Sequence, residues 1–288
     1  MFDRSLVRTP VFNLQSLAIV NSGNCSPDHP ITRFPYNSPV NELKDKTVLI
    51  TGGARRLGKA IALAMAEAGA QVAITYLTSA GQARQTLSEI KASGGKSLAV
   101  PCDTRQEESV RNAVNMVREE FGRLDILVNN AGVYATARLE DITVEQWDDI
   151  FTTNVRGPFL VSKHCVPELR RAGGRIIHLG SLGGEKPWAT HAHYCSSKAA
   201  LHMLTRVMAK ALAPEIAVNC VAPGMIDIAD DPGANERDEQ FNARMAAATP
   251  MRRNGAPADV VSAVMYFATA SQFVTGQILA VDGGLGLN

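Results

Sequence analysis

From Lys44 onward the apolar residues switch regularly between two periods, and that alternation leaves very few folds open. Short β-rich runs occur at 47–51, 72–76, 98–100, 126–128, 176–177, 217–221 and 277–281. Between them lie stretches with helical spacing, the clearest being Val110, Val114, Val117 and Phe121 at i, i+4, i+7 and i+11. Further helices are expected from near Leu57, around Ala83, Leu87 and Ile90, and from about Val144 to Leu169. Two more run through Leu201, Leu204, Met208 and Leu212, and through Val260, Val264 and Phe267. Strands apolar on both faces that alternate with helices predict an α/β, doubly wound Rossmann-type fold: a parallel sheet of about seven strands covered on both sides. Right-handed crossovers fix such a topology and place ligands at the carboxyl ends of the strands. With no internal repeat, residues 41–288 read as one domain.

Residues 1–40 are different material. Five of the 14 prolines (Pro10, Pro27, Pro30, Pro35 and Pro39) fall there without sustained periodicity, so the segment is expected to be an irregular N-terminal tail. A secretory signal would need Val11 to Val20 as its apolar stretch, but Asn13, Gln15 and Ser16 interrupt it and no Ala-x-Ala site follows. Composition narrows the function classes. At 45% hydrophobic the chain can bury a core, and 29 basic against 28 acidic residues offer no field for nucleic acid. No run approaches the ~18 apolar residues of a membrane span. The five cysteines, at 25, 102, 165, 195 and 220, include no Cys-x-x-Cys pair, so neither a disulfide framework nor a zinc site is indicated. A soluble, cytoplasmic globular protein is expected, with no nucleic-acid or membrane partner and no metal.

Chemistry first shows in the turn after the first strand, Thr51-Gly52-Gly53-Ala54-Arg55-Arg56-Leu57-Gly58. Glycines at a strand-to-helix turn let backbone N–H groups and a helix N-terminus face a pyrophosphate, although an ordinary βα turn can look the same. Other elements follow in register. Asp103 ends the third strand, Asn129-Asn130-Ala131-Gly132 follows the fourth, and Asn154 stands in a Thr-Asn-Val triplet. Ser181 precedes Tyr194-Cys195-Ser196-Ser197-Lys198 by 13 residues, and Pro223-Gly224 follows the sixth strand. Together these resemble the short-chain dehydrogenases/reductases along almost the whole domain. Arg56, in place of the middle glycine of that family's turn, is similar to the pteridine-reductase branch.

Tyr194 and Lys198, four residues apart, share one helix face. A phenol titrates near pH ~10, and an ammonium ~4 Å away at an effective dielectric of ~20 is worth up to about 4 kcal/mol. That charge is expected to lower the Tyr194 phenol and make it a general acid/base. The resemblance implies that Ser181 bonds the reacting oxygen, that Lys198 also holds the nicotinamide ribose and that Asn154 holds a water feeding Lys198. It places Asp103 on the adenine ring, the 130–132 backbone and Pro223-Gly224 along the cofactor, and implies a homo-oligomer, dimer or tetramer. The end of the second strand, Tyr76-Leu77-Thr78-Ser79, carries no acid for a ribose 2′-hydroxyl. Arg55 and Arg56, with Thr78 and Ser79, suit a 2′-phosphate, so NADPH/NADP+ is the expected cofactor. The histidines flanking Tyr194, His191 and His193, lack a third metal ligand nearby, and Cys195 lacks a partnered base. Trp188 suits a substrate-pocket wall or simple packing.

The expected activity is NADPH-dependent hydride transfer between nicotinamide and a carbonyl/alcohol pair, such as a 3-oxoacyl group or another ketone. Pteridine reduction is the alternative, and a non-catalytic NADP-binding sensor a lower one. The segment Leu212 to Asn219 and Asp230-Asp231 resemble bacterial pteridine reductases, whereas those enzymes generally carry Asp where Ser181 stands. Ile228 replaces a threonine common in relatives, and residues 225–254 are expected to form a substrate-covering loop. The composition of the tail yields a prediction. A chain starting at Asn41 keeps its Tm within about 2 °C of full length by calorimetry, and a fall of several degrees would show that residues 1–40 pack on the body.

Overall fold

Each β-rich run becomes a strand: β1 (Thr47–Ile50), β2 (Gln71–Tyr76), β3 (Ser97–Pro101), β4 (Ile126–Asn129), β5 (Arg175–Leu179), β6 (Ala217–Pro223) and β7 (Ile278–Val281). The computed structural model describes residues 42–228 and 239–287, so the expected tail over 1–40 and Asp230-Asp231 lie outside the described residues. The helices are α1 (Arg56–Glu67), α2 (Ala80–Ala92), α3 (Glu107–Phe121), α4 (Val144–Phe151), α5 (Gly157–Ala172), α6 (Ala192–Leu212), α7 (Glu239–Ala248) and α8 (Pro257–Thr269). All strands pair in parallel in the order β3-β2-β1-β4-β5-β6-β7. Strand order therefore reverses between β1 and β4, which opens a crevice at their carboxyl ends.

Alternate residues of each strand feed two cores. Val48, Ile50, Ile74 and Val128 pack under α1, α2 and α8 with Ile61, Met65, Ile90, Val264 and Phe267. Leu49, Leu127, Ile176 and Val218 pack on the other face under α3 and α5, with Val110, Val114, Val117, Cys165 and Leu169. Full burial of each large aliphatic is worth about 1.5–3 kcal/mol, so both layers are firmly anchored. α3 shows how the chain sets its boundaries. Glu107 and Glu108 complement the positive end of the helix, and Gly122, at φ +71°, ends it in the left-handed region.

Three expectations need correcting. Burial on both faces holds for the inner strands but not for the edges: β3 leaves Pro101 exposed, and β7 leaves Leu279 and Ala280 exposed. The single helix expected from Val144 to Leu169 is broken into α4 and α5 by a π turn over Thr152–Arg156. Pro158 has no N–H to give the Asn154 carbonyl, and Gly157 lies so close to Thr104 that an added Cβ would stand 3.0 Å from its Oγ1. The third is α7, which occupies part of the segment expected to be loop over 225–254.

At the opposite ends of β1 and β4, Asp125 is 3% exposed. It accepts from the Thr47 N–H (2.9 Å), Arg123 Nε (2.8 Å) and Nη2 (2.6 Å), and Lys46 Nζ (3.2 Å). Burial opposes its ionisation, but these four donors outweigh burial and hold the carboxyl below the usual carboxylate range. Asp125→Ala should lower unfolding stability by about 2 kcal/mol at pH 7, read by urea denaturation. Because the folded value is lowered, this contribution is present above the unfolded pKa of ~3.9 and fades as pH falls through the folded one, so the two proteins converge in acid.

Candidate active site

The turn after β1 is stitched to the loop after β4. Thr51 Oγ1 accepts from the Asn130 and Ala131 N–H groups at 3.0 Å each, while Asn130 Nδ2 donates to the Thr51 and Gly52 carbonyls at 2.9 and 3.1 Å. Gly52 turns at φ +64°, and a Cβ added to Gly58 would lie 2.3 Å from the Gly52 oxygen and 2.6 Å from Asn130 Nδ2. No larger side chain fits there. α1 then begins at Arg56, and its N-cap residue Arg55 gives no side-chain cap and its first turn no acid, so the positive end of the helix lies toward the cavity.

A cavity of about 360 Å³ extends from this turn across the strand ends. Gly52, Arg55, Arg56, Leu57 and Gly58 form one wall; Tyr76 ends β2, Thr78 and Ser79 follow it, and Asp103 follows β3. Asn130, Ala131 and Gly132 complete the lining from β4, joined by Ile228. Arg55 and Arg56 are exposed, and Arg56 takes φ +52°, a conformation usually left to glycine. Pro223 and Gly224 end β6 outside this lining, with Gly224 packed tightly on Asp282. The Asp103 carboxylate is already engaged. Oδ1 accepts from Arg105 Nε (2.9 Å) and its N–H (3.0 Å), and Oδ2 accepts from Arg105 Nη2 (3.0 Å). These bonds hold Asp103 below its ordinary range, and Arg105 also reaches Asp149 on α4 (3.0 Å). Arg105, absent from the expected set, carried no motif to mark it.

Ser181, Tyr194, Lys198 and Asn154 come together beyond Gly132. A Cβ on Gly132 would lie 3.2 Å from Asn154 Oδ1 and 3.7 Å from Lys198 Nζ. Ser181 follows β5, and its Oγ accepts from the Gly183 N–H (3.0 Å); a Cβ on Gly183 would touch both Ser181 Oγ (3.4 Å) and Tyr194 Cε1 (3.5 Å), so the hydroxyl and the phenol ring border one space. Lys198 Nζ donates to the Leu179 carbonyl (2.9 Å) and stands 5.8 Å from the centre of the Tyr194 ring. The expected lowering of the phenol by Lys198 is not found. Burial pushes Tyr194 up to about 12, offset in part by Ser181, and burial likewise pushes Lys198 down to about 8. The π turn buries Asn154, whose Oδ1 accepts from the Val133 N–H and whose Nδ2 donates to the Val133 carbonyl, both at 2.9 Å. The same Nδ2 donates to Ser197 Oγ (3.1 Å).

Around these four stand His191, His193 and Trp188, already marked by the sequence, and Tyr134, which carried no signal. The Tyr134 ring meets Tyr194 edge-on at 5.0 Å, and its hydroxyl lies 2.6 Å from His191 Nε2. His191 Nδ1 is in turn 3.0 Å from Thr190 Oγ1. His193 is fully buried, with neither ring nitrogen bonded to a described residue. Trp188 packs with Met225 and Phe241 around Leu182, Met245 and Leu285, and Lys186 Nζ donates to the Leu285 carbonyl (2.9 Å). The packing beside Ser181 thus draws on α7 and on Leu285. Among the described residues no group of three or more His, Cys, Asp or Glu side chains could hold a metal ion, and no helix is long and apolar enough to cross a membrane.

A family model described as enoyl-(acyl carrier protein) reductase matches residues 52–286. An uncharacterized oxidoreductase of Methylorubrum extorquens is 36% identical over 248 residues, covering 85% of this chain and 100% of that one. A 3-oxoacyl-(acyl-carrier-protein) reductase of Staphylococcus epidermidis is 34% identical over 244 residues, covering 84% and 99%. Among solved structures, a dehydrogenase/reductase from Sinorhizobium meliloti superposes with a TM-score of 0.78 at 38% identity, covering 86% and 97%. A short-chain dehydrogenase/reductase from Serratia marcescens reaches a TM-score of 0.80 at 35% identity, covering 85% and 99%. With the parallel sheet, the glycine turn and the family's motifs carried on one chain, this protein is an oxidoreductase belonging to the short-chain dehydrogenase/reductase family.

Proposed function

We propose that the protein reduces a ketone of the β-keto ester or 3-oxoacyl class with NADPH, and runs the reverse alcohol oxidation. The observation that carries this is the grouping of the Ser181 hydroxyl, the Tyr194 ring and Lys198 Nζ, with Nζ 5.8 Å from the ring centre. The Staphylococcus relative, named as a 3-oxoacyl-(acyl-carrier-protein) reductase, supports the substrate class. When bound, the nicotinamide supplies hydride. The residues of the cavity fit such a cofactor. The uncapped start of α1 faces the pyrophosphate, and Arg55, Arg56, Thr78 and Ser79 take the 2′-phosphate. Asp103 Oδ2 keeps a lone pair for the adenine amine.

As a carbonyl oxygen gains negative charge, two neutral donors meet it. Gly183 holds Ser181 Oγ from behind, which leaves the serine proton to point outward. Tyr194, with its phenol pushed up to about 12, stays protonated at neutral pH and so is in the form that gives a proton to an alkoxide. Lys198, charged below about 8, stabilises the phenolate left behind. The side-chain oxygen of Asn154 spends one lone pair on Val133, and the second, near Lys198, is the place for a water that returns the proton. A homo-oligomer, dimer or tetramer, working in the cytoplasm belongs to the same proposal.

Arg56, standing in place of the turn's middle glycine, favours a second reading, reduction of a dihydropterin. Ser181 weighs against it, because a hydroxyl does not titrate near neutrality and cannot relay a proton to a ring nitrogen as a carboxylic acid would. A panel of β-keto esters and dihydrobiopterin, read by loss of NADPH absorbance, separates the two. Ketones should give the higher kcat/KM, and Tyr194→Phe should cut ketone kcat by about 100-fold or more while NADPH binding stays within a few-fold. Faster turnover of dihydrobiopterin than of every ketone would install pteridine reduction instead, and no turnover of any substrate would favour the sensor. Cofactor choice is a separate expectation. NADPH should be preferred over NADH by at least about tenfold in kcat/KM, and replacing Arg55 and Arg56 with Ala should shrink the ratio mainly by raising the NADPH KM.

A further inference from the structure

α6 carries Tyr194, Lys198 and His202 at successive turns of one stripe. His202 is 3% exposed and lies beneath the segment that runs from Leu179 through Ser181 to the turn Leu182–Gly184. An ideal Cβ on Gly180 would stand 2.4 Å from His202 Nε2, and one on Gly184 would stand 2.5 Å from Cε1 and 2.8 Å from Nδ1. The backbone on both sides of Ser181 therefore rests on the imidazole. Before Ser181 the segment is tied by Lys198 Nζ to the Leu179 carbonyl (2.9 Å) and by the Gly180 N–H to Val221 (2.8 Å). After it the turn closes with the Gly184 N–H on the Ser181 carbonyl (2.9 Å). The ring fills the space between these two anchored pieces.

Hydrogen bonding does not account for this placement. Nε2 has no partner among the described residues, and Nδ1 lies 3.9 Å from the half-exposed Glu185. A buried unpaired ring nitrogen costs free energy that a leucine in the same space would not. Burial, with Lys198 and Arg206 nearby, pushes the imidazole down to about 4, so it is neutral beside the Lys198 ammonium at pH 7.

We propose that His202 is a positioning residue for Ser181: its imidazole is the wedge that sets how far the Ser181 turn stands from α6, and so where the serine hydroxyl meets the Tyr194 phenol. This rests on reading Ser181 and Tyr194 as the pair that polarises the carbonyl. The test uses the full chain, NADPH and ethyl acetoacetate, with NADPH Kd followed by nucleotide fluorescence. His202→Ala should lower kcat by about tenfold or more with Kd within about twofold, and His202→Gln, a planar side chain of similar reach, should recover most of it. In a Ser181→Ala background His202→Ala should change kcat by less than about twofold, because the hydroxyl it positions is gone. Independent losses in that cycle, or a rise in Kd matching the fall in kcat, overturn the wedge. If His202→Ala fails to fold, Gly184→Ala presses on the same ring from the turn side and enters the same cycle under the same criteria. Wild-type turnover by Ser181→Ala alone overturns the carbonyl reading, and is seen before any His202 variant is made.

Discussion

The bonds between Thr51 and Asn130 hold the ends of β1 and β4 together where the strand order reverses. Everything at the site is referred to that junction. Gly58 must be glycine because the Asn130 amide already fills the space above it, and that close approach starts α1 at Arg56 with its positive end toward the cavity. The same loop continues to Gly132, against which Asn154 and Lys198 are packed. A hydroxyl and an amide thus set the distance between the glycine turn and the group of Asn154, Tyr194 and Lys198, and the sheet beneath supplies the rigidity.

Periodicity made the fold legible because a parallel sheet covered on both faces demands uninterrupted apolar strands, and Val48 to Ile50 or Ile126 to Val128 satisfy nothing else. Where a strand has one neighbour the demand relaxes, so Leu279 is apolar yet exposed. The π turn at Asn154 escaped periodicity because one extra residue per turn is a small phase error, although Pro158 was a visible cause. α7 has only Met245 fully buried, which leaves too weak a stripe to announce a helix.

The site was readable where residue type carries the chemistry and unreadable where environment does. Spacing alone brought Tyr194 and Lys198 to one face of α6, but the sign of the tyrosine's shift depends on burial, which no spacing reports. Burial moves the two groups apart in titration, the phenol upward and the ammonium downward, so both favour holding their neutral forms more than they would in water. Tyr134, His191 and Arg105 likewise act through partners distant in sequence, as the 2.6 Å contact between Tyr134 and His191 shows.

The wall around Leu182, Met245 and Leu285 has a consequence for how the chain reaches this structure. The cavity's glycine turn, β2, β3 and β4 contacts lie almost wholly within residues 47–132, whereas the bond from Lys186 to Leu285 spans 99 residues. Closing so long a stretch of chain costs entropy that only late, cooperative contacts repay. The wall beside Ser181 therefore carries a larger chain-closure cost than the glycine-turn half, and it is complete only with Leu285 in place.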